Sequence, residues 1–264
     1  MSGETFQGEV TPDQVGAGQA VLGAFEGLRP RHDDGLFTVL GRQVWTIFRK
    51  DLLLEWRSRS RMVSVVLFGF VTLLLFSFAV GPDSVMLRAG AAGFLVLALL
   101  LSSTLSLSES FRLEQEQRAL EGLLLLPADA PSLFYGKALA NTFFLVLLAP
   151  VLIPVALVLY SVEIEPMILA RLLLLWLLAA AGLTAPGTLY AAMTSRLQSQ
   201  DVLLPLLLFP LVVPVLLGSV KAMSLILSGD PMSQIRSWTL LLVLFDVIYW
   251  SLCGILFPQA IEES

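Results

Sequence analysis

The sequence predicts an all-α, polytopic membrane protein: six transmembrane helices, an N-terminal interfacial helix ahead of them, a charged cytoplasmic helix between the second and third spans, and a re-entrant segment before the last. Three observations carry that prediction. Apolar residues make up 56% of the 264 residues and charged residues only 14%, a balance too apolar for a soluble domain of this length. The apolar residues gather into six stretches long enough, at about 1.5 Å per residue, to cross a hydrocarbon layer of roughly 30 Å. Inside the apolar run from Met62 to Phe257, the one long, densely charged segment is 110–137.

Residues 1–35 are rich in Gly, Glu, Asp and Gln. They lack a basic stretch followed by an apolar core, so they are not expected to be a secretory signal. They read as a disordered cytoplasmic tail, with the membrane domain in 36–264. From Leu36 the pattern changes. Leu40, Val44, Ile47, Phe48 and Leu52 fall on one helical face, while Arg42, Gln43, Arg49 and Lys50 are expected to project elsewhere. A basic amphipathic helix just ahead of a span most simply lies in the bilayer interface, in contact with lipid, and Trp45 and Trp56 suit that level. Arg57, Arg59 and Arg61 then form a basic collar under the first span.

The six spans are placed at 62–80, 89–108, 138–160, 172–192, 202–220 and 238–257. An even number puts both termini on one side, and the basic residues choose the side. With the N-terminus in the cytoplasm, 12 of the 16 Lys and Arg residues lie inside; Arg88, Arg171, Lys221 and Arg236 lie outside. That asymmetry predicts cytoplasmic termini and a cytoplasmic 110–137. Glu163 and Glu165 then sit at the outer mouth.

Segment 110–137 reads as a helix, a tight turn and the start of the third span. Glu114 and Arg118 stand four apart with the acid first, the better order for an ion pair. Leu113, Leu120 and Leu124 give the helix an apolar stripe. Pro127 and Pro131 stop it, and Asp129 is placed to cap the next helix, with Ala130 and Pro131 in the first turn. Residues 194–201 form a smaller polar turn on the same side, carrying Arg196 and Gln198. Linker 218–237 is too apolar for a solvated loop and is broken at Gly229-Asp230-Pro231. A re-entrant or surface-lying hairpin is the expected solution.

Within the spans, Pro150 and Pro154 in the third and Pro205, Pro210 and Pro214 in the fifth should kink or partly unwind their helices. Asp246 is the one acid well inside a predicted span. An ionised carboxylate at that depth costs on the order of 2.5–3.5 kcal/mol unless it is protonated, paired or wet. It is therefore a candidate polar site facing a cavity or interface, or a group bonded to a neighbouring helix. The lone cysteine, Cys253, can form no internal disulfide.

The single histidine, His32, lies in the N-terminal tail. A bis-histidine haem, a zinc protease helix and a Ser–His dyad each need histidine within the fold. Met193, Tyr190 and Tyr249 remain as weaker conceivable haem ligands. No GxxxxGK[ST] loop is present, so ATP binding by that means is excluded. Nucleic acid is not an expected partner, no metal or catalytic site is expected, and one intramembrane acid is too few for a secondary transporter.

Taken together, several stretches resemble the haem exporter protein B family. They are Lys50-Asp51-Leu52 with Glu55 and Arg57, and Phe76-Ser77-Phe78. Phe111, Glu114 and Glu116 follow, then the run from Arg118 to Leu124, Pro127 and Gly136-Lys137-Ala138. The triple-proline run 203–214 and the closing Glu262-Glu263 complete the set. The resemblance covers roughly 36–264. It implies an ABC-2-like exporter permease in a bacterial inner membrane, serving cytochrome c maturation. It also implies a cytoplasmic ABC ATPase that hydrolyses the ATP, a haem-handling membrane subunit and a periplasmic haem chaperone. This chain would then be no enzyme and hold no cofactor, with haem the possible substrate of the complex. On that reading Leu120, Leu123 and Leu124 fill a groove on the ATPase, with Glu114, Arg118 and Glu121 at the rim and Gly122 allowing close approach. Arg196 and Gln198 make a second contact. An ABC permease for a lipid, polysaccharide or drug is the alternative.

Overall fold

The computed structural model describes residues 36–57, 59–116, 130–162, 166–195, 200–228 and 233–262. Among them are eight helices: α1 (Leu36–Arg57), α2 (Arg59–Val80), α3 (Ser84–Glu116), α4 (Ala130–Leu147), α5 (Ala149–Leu159), α6 (Pro166–Thr194), α7 (Gln200–Ser228) and α8 (Ile235–Glu262). Six spans result: α2, α3, α4 with α5, α6, α7 and α8. The first matches its sequence-derived bounds, Met62–Val80; the others run longer at one or both ends. At 26–30 residues these spans are longer than the hydrocarbon layer requires. Of 110–137, the part up to Glu116 is helical and continuous with the second span, and α4 begins at Ala130 with Pro131 in its first turn.

The centre of the bundle is α6, packed against α7, α8, α4 and α3. Every residue from Gly182 to Leu189 is buried. Small side chains here (Gly182, Thr184, Ala185, Gly187, Thr188) let four helices converge on one, the usual chemistry of helix contacts in lipid. The first span is peripheral. Helix α2 packs on α3 and α5 and turns Leu67, Val71, Leu75 and Phe78 outward. Between α2 and α3, Gly81 donates its N–H to Ser77 O (3.1 Å) and Pro82 stops the helix. Asp83 Oδ1 then accepts the N–H groups of Val85 and Met86 (2.9 and 3.2 Å), capping α3.

Proline acts differently in the two spans where a kink is expected. The third span breaks at Leu148, and Pro150 falls in the first turn of α5, where its missing N–H costs nothing. At the break the Leu145 carbonyl is bonded by Leu148 N–H at 3.3 Å and by the buried indole N–H of Trp176 at 2.9 Å. The fifth span, by contrast, stays one helix through Pro205, Pro210 and Pro214.

Two expectations need correction. The apolar part of 218–237 is not a separate hairpin as far as it is described, because α7 runs without interruption to Ser228. Ala222, Met223 and Ile226 are buried in the bundle core, so the apolar character of this stretch is that of a long span's outer turns. Helix α1, in turn, buries Ile47 and partly buries Leu40, Val44, Phe48 and Leu52, as its pattern suggested, but its buried face also takes in a polar residue. Gln43, expected to project away, is only 2% exposed, while Trp45 is 64% exposed. The buried face is centred on Gln43, Ile47 and Asp51, because it packs on protein rather than on lipid.

Candidate functional site

At the end of the bundle that carries both termini, α1 lies across the start of α4, the helix that follows the charged connection. Three contacts one turn apart join them. Ser132 Oγ donates to Gln43 Oε1 at 2.9 Å, with both residues buried. Gly136 faces Ile47. A Cβ at position 136 would stand 2.7 Å from Ile47 Cβ and 3.1 Å from Val44 O, so only glycine permits this backbone approach. Last, Lys137 Nζ lies 3.6 Å from Asp51 Oδ2, while Lys50 Nζ lies 3.1 Å from Asp51 Oδ1. Each carboxylate oxygen thus faces one ammonium.

Lys137 is 2% exposed. Burial by itself pushes the Asp51 carboxyl up, but Lys137 and then Lys50 outweigh that and hold it below its ordinary value. Around this pair a small apolar cluster ties α1, α4, α6 and α8 together through Ile47, Phe134, Ala185, Leu189, Cys253 and Phe257. Cys253 is buried there as a small apolar side chain.

Deeper in the membrane the α4–α6 contact is polar. Asn141 Nδ2 donates to Thr188 Oγ1 at 3.2 Å, and the hydroxyls of Thr142 and Thr184 are 2.6 Å apart. Beyond them sits Asp246, 9% exposed, near the middle of α8. Its Oδ1 has no hydrogen-bond partner among the described residues. The carboxyl occupies the notch at Gly182, where a Cβ would come within 2.8 Å of Oδ1 and 2.9 Å of Val215. Asp246 therefore faces the junction of α6, α7 and α8. One turn along, Trp250 Nε1 donates to Ala181 O at 3.1 Å, and Tyr249 stacks on Phe245 with ring centroids 4.1 Å apart.

Of the coupling residues expected from sequence, Glu114 lies near the end of α3. Arg118, Leu120, Glu121, Gly122, Leu123 and Leu124, and also Arg196 and Gln198, lie outside the described residues. Tyr190 is packed against the core and Met193 is 43% exposed. What sequence reading missed is the joint between Asp51 and Lys137. The available signal was a lysine inside a long apolar stretch, which demands a partner.

Residues 42–264 match the family model described as CcmB protein. The chain belongs to that family. Among its curated relatives are proteins named heme exporter protein B. The one from Pseudomonas aeruginosa is 32% identical over 196 residues, covering 73% of this chain and 85% of that protein. The Haemophilus influenzae protein is 32% identical over 171 residues, 65% of this chain and 76% of the relative. That from Bradyrhizobium diazoefficiens is 30% identical over 188 residues, 71% and 83% respectively. Two of the stretches that carried the resemblance, Lys50-Asp51-Leu52 and Gly136-Lys137-Ala138, are the two that meet in the buried ion pair. The match begins at Arg42 and so takes in most of α1.

Proposed function

We propose that this chain is the membrane subunit of an ABC-type haem exporter for cytochrome c maturation. It converts ATP hydrolysis by a separate cytoplasmic ATPase into haem export or release of a haem-loaded periplasmic chaperone. Membership of the family and the names of its relatives carry this reading. The chain lies in the bacterial inner membrane with both termini cytoplasmic, an orientation that the distribution of Lys and Arg favours. A haem-handling membrane subunit completes the assembly. Force enters through 110–137, which leads into a span at both ends and is the one long charged stretch inside the apolar run from Met62 to Phe257. Leu120, Leu123 and Leu124 seat in the ATPase; Glu114, Arg118 and Glu121 form the rim.

Anchors buried at such contacts cost about 2 kcal/mol or more when truncated, whereas rim charges cost little. Leu120→Ala with Leu124→Ala is expected to lower ATPase recovery or holo-cytochrome yield at least tenfold at matched membrane levels, a factor equal to about 1.4 kcal/mol. Glu114→Gln alone should be nearly silent. Wild-type recovery and yield in the double variant would remove this segment as the coupling element. Cysteine labelling in intact cells should find Asp129 cytoplasmic and Asp230 external; an external Asp129 ends the reading, since no ATPase could reach it.

A further inference from the structure

We propose that Asp51 and Lys137 are positioning residues that lock α1 to α4, so that a displacement entering at the α3–α4 connection carries both helices as one body. This rests on the proposal that force enters there. Helix α1 leads directly into α2, yet it packs mainly on α4 and only slightly on α2. Its three joints to α4 are of three kinds: a hydrogen bond at Gln43, a backbone approach at Ile47 and an ion pair at Asp51. All lie on one ridge of α1, four residues apart, and together they define a single register. Sliding α1 by one helical turn, about 5.4 Å, would take Asp51 off Lys137 and drive a side chain other than Ile47 at the Gly136 notch.

A methionine at 137 would fill similar space without the desolvation that a buried ammonium suffers. Buried ion pairs are weak devices for stability, and fixing register is their best-attested use. Lys137 also stands only two turns into α4, close to where that helix leaves the charged connection. A movement entering α4 therefore reaches all three joints to α1, at Ser132, Gly136 and Lys137, within its first two turns, alongside the contacts of Phe134 and Tyr135 with α8.

The test uses the assembled complex in liposomes, with Cys253→Ala as background. Gln43→Cys and Ser132→Cys put one thiol on each helix at this joint, so that oxidation, whose yield is measured first, ties α1 to α4. Haem delivered to an external apo-haemoprotein is measured per ATP hydrolysed. The oxidised complex should keep this ratio within twofold of the reduced one. Adding Lys137→Met should lower the ratio at least fivefold when reduced and restore it on oxidation, and Lys137→Arg should stay within twofold of wild type. Arrest of the cross-linked complex, or an unchanged ratio in Lys137→Met, overturns the lock and leaves the coupling reading standing. A complex that hydrolyses ATP but delivers no haem in any form removes haem export instead. The lock is then judged on hydrolysis, which the cross-link must leave unchanged.

Discussion

Asp51 and Asp246 are both aspartates withdrawn from water, and their surroundings have little in common. Asp51 lies between two ammonium groups, one oxygen to each. Asp246 has no cation beside it among the described residues; its Oδ1 is fitted into a glycine notch among apolar side chains. At the bundle's end a carboxylate is held by charge, and in the middle a carboxyl is held by shape. The contrast follows from depth. Near the headgroups a second charge can be brought in on a long lysine stem, whereas every further charge at mid-membrane adds to the cost of insertion.

The comparison breaks most sharply at Lys137. Lys137→Met leaves Asp51 with Lys50, and Asp51→Asn takes one carboxylate from a buried ammonium. Either is expected to destabilise the complex, by less than the about 3–5 kcal/mol that follows when a buried charge is left with no partner at all. The double variant Asp51→Leu with Lys137→Met should recover most of that loss, read as thermal unfolding of the purified complex in detergent. If the double variant is as unstable as the singles, packing rather than charge holds this joint.

A smaller effect is expected at the notch. Gly182→Ala forces a methyl against Asp246 and Val215 and should cost about 1–3 kcal/mol, typical of overpacking. Combined with Asp246→Ala, the same change should cost less than half as much, since one of the two clashing groups is gone. Equal costs in both backgrounds would mean that Val215 alone sets the tightness of the notch.

The smallest expected effect is a pH dependence at Asp51. Asp51 is held below its ordinary value of 3.8 in the folded protein. Its contribution is therefore fully present above the unfolded value and is lost as pH falls through the lower folded one. Stability of the α1–α4 joint, followed by the rate of oxidation of the Gln43→Cys, Ser132→Cys pair relative to its free-thiol reactivity, should hold down to about pH 4 and fall only below it. Asp51→Asn should abolish that acid limb. A joint that loosens between pH 6 and 5 would show that another group controls it.

The spans were legible in the sequence because hydropathy is a local property, and membrane thickness sets how much of it one helix needs. Their ends were not, because α3 and α7 continue as helix past the hydrocarbon layer. The stretch after Gly218 read as a hairpin only because the fifth span was assumed to stop at that layer's edge. Asp246 was legible as an acid in the wrong solvent, but its notch at Gly182 depends on the meeting of α6 and α8, which no spacing within either helix reveals. Gln43 was assigned to the exposed face by the same limitation. An amphipathic pattern says which face is apolar, and Ser132, 89 positions away, decided that a polar residue would be buried with it.

The Asp51–Lys137 pair also fixes an order of events during synthesis. Asp51 leaves the ribosome 86 residues before Lys137, roughly 4–17 s earlier at about 5–20 residues per second. When the third span begins to enter the bilayer with an ammonium two turns from its start, the anion that neutralises it is already at the membrane surface on a finished helix. Exchanging the two side chains would keep the pair but reverse its assembly. A carboxylate would then enter on the nascent span and a lysine would wait for it, so that biogenesis could fail where the folded structure would not.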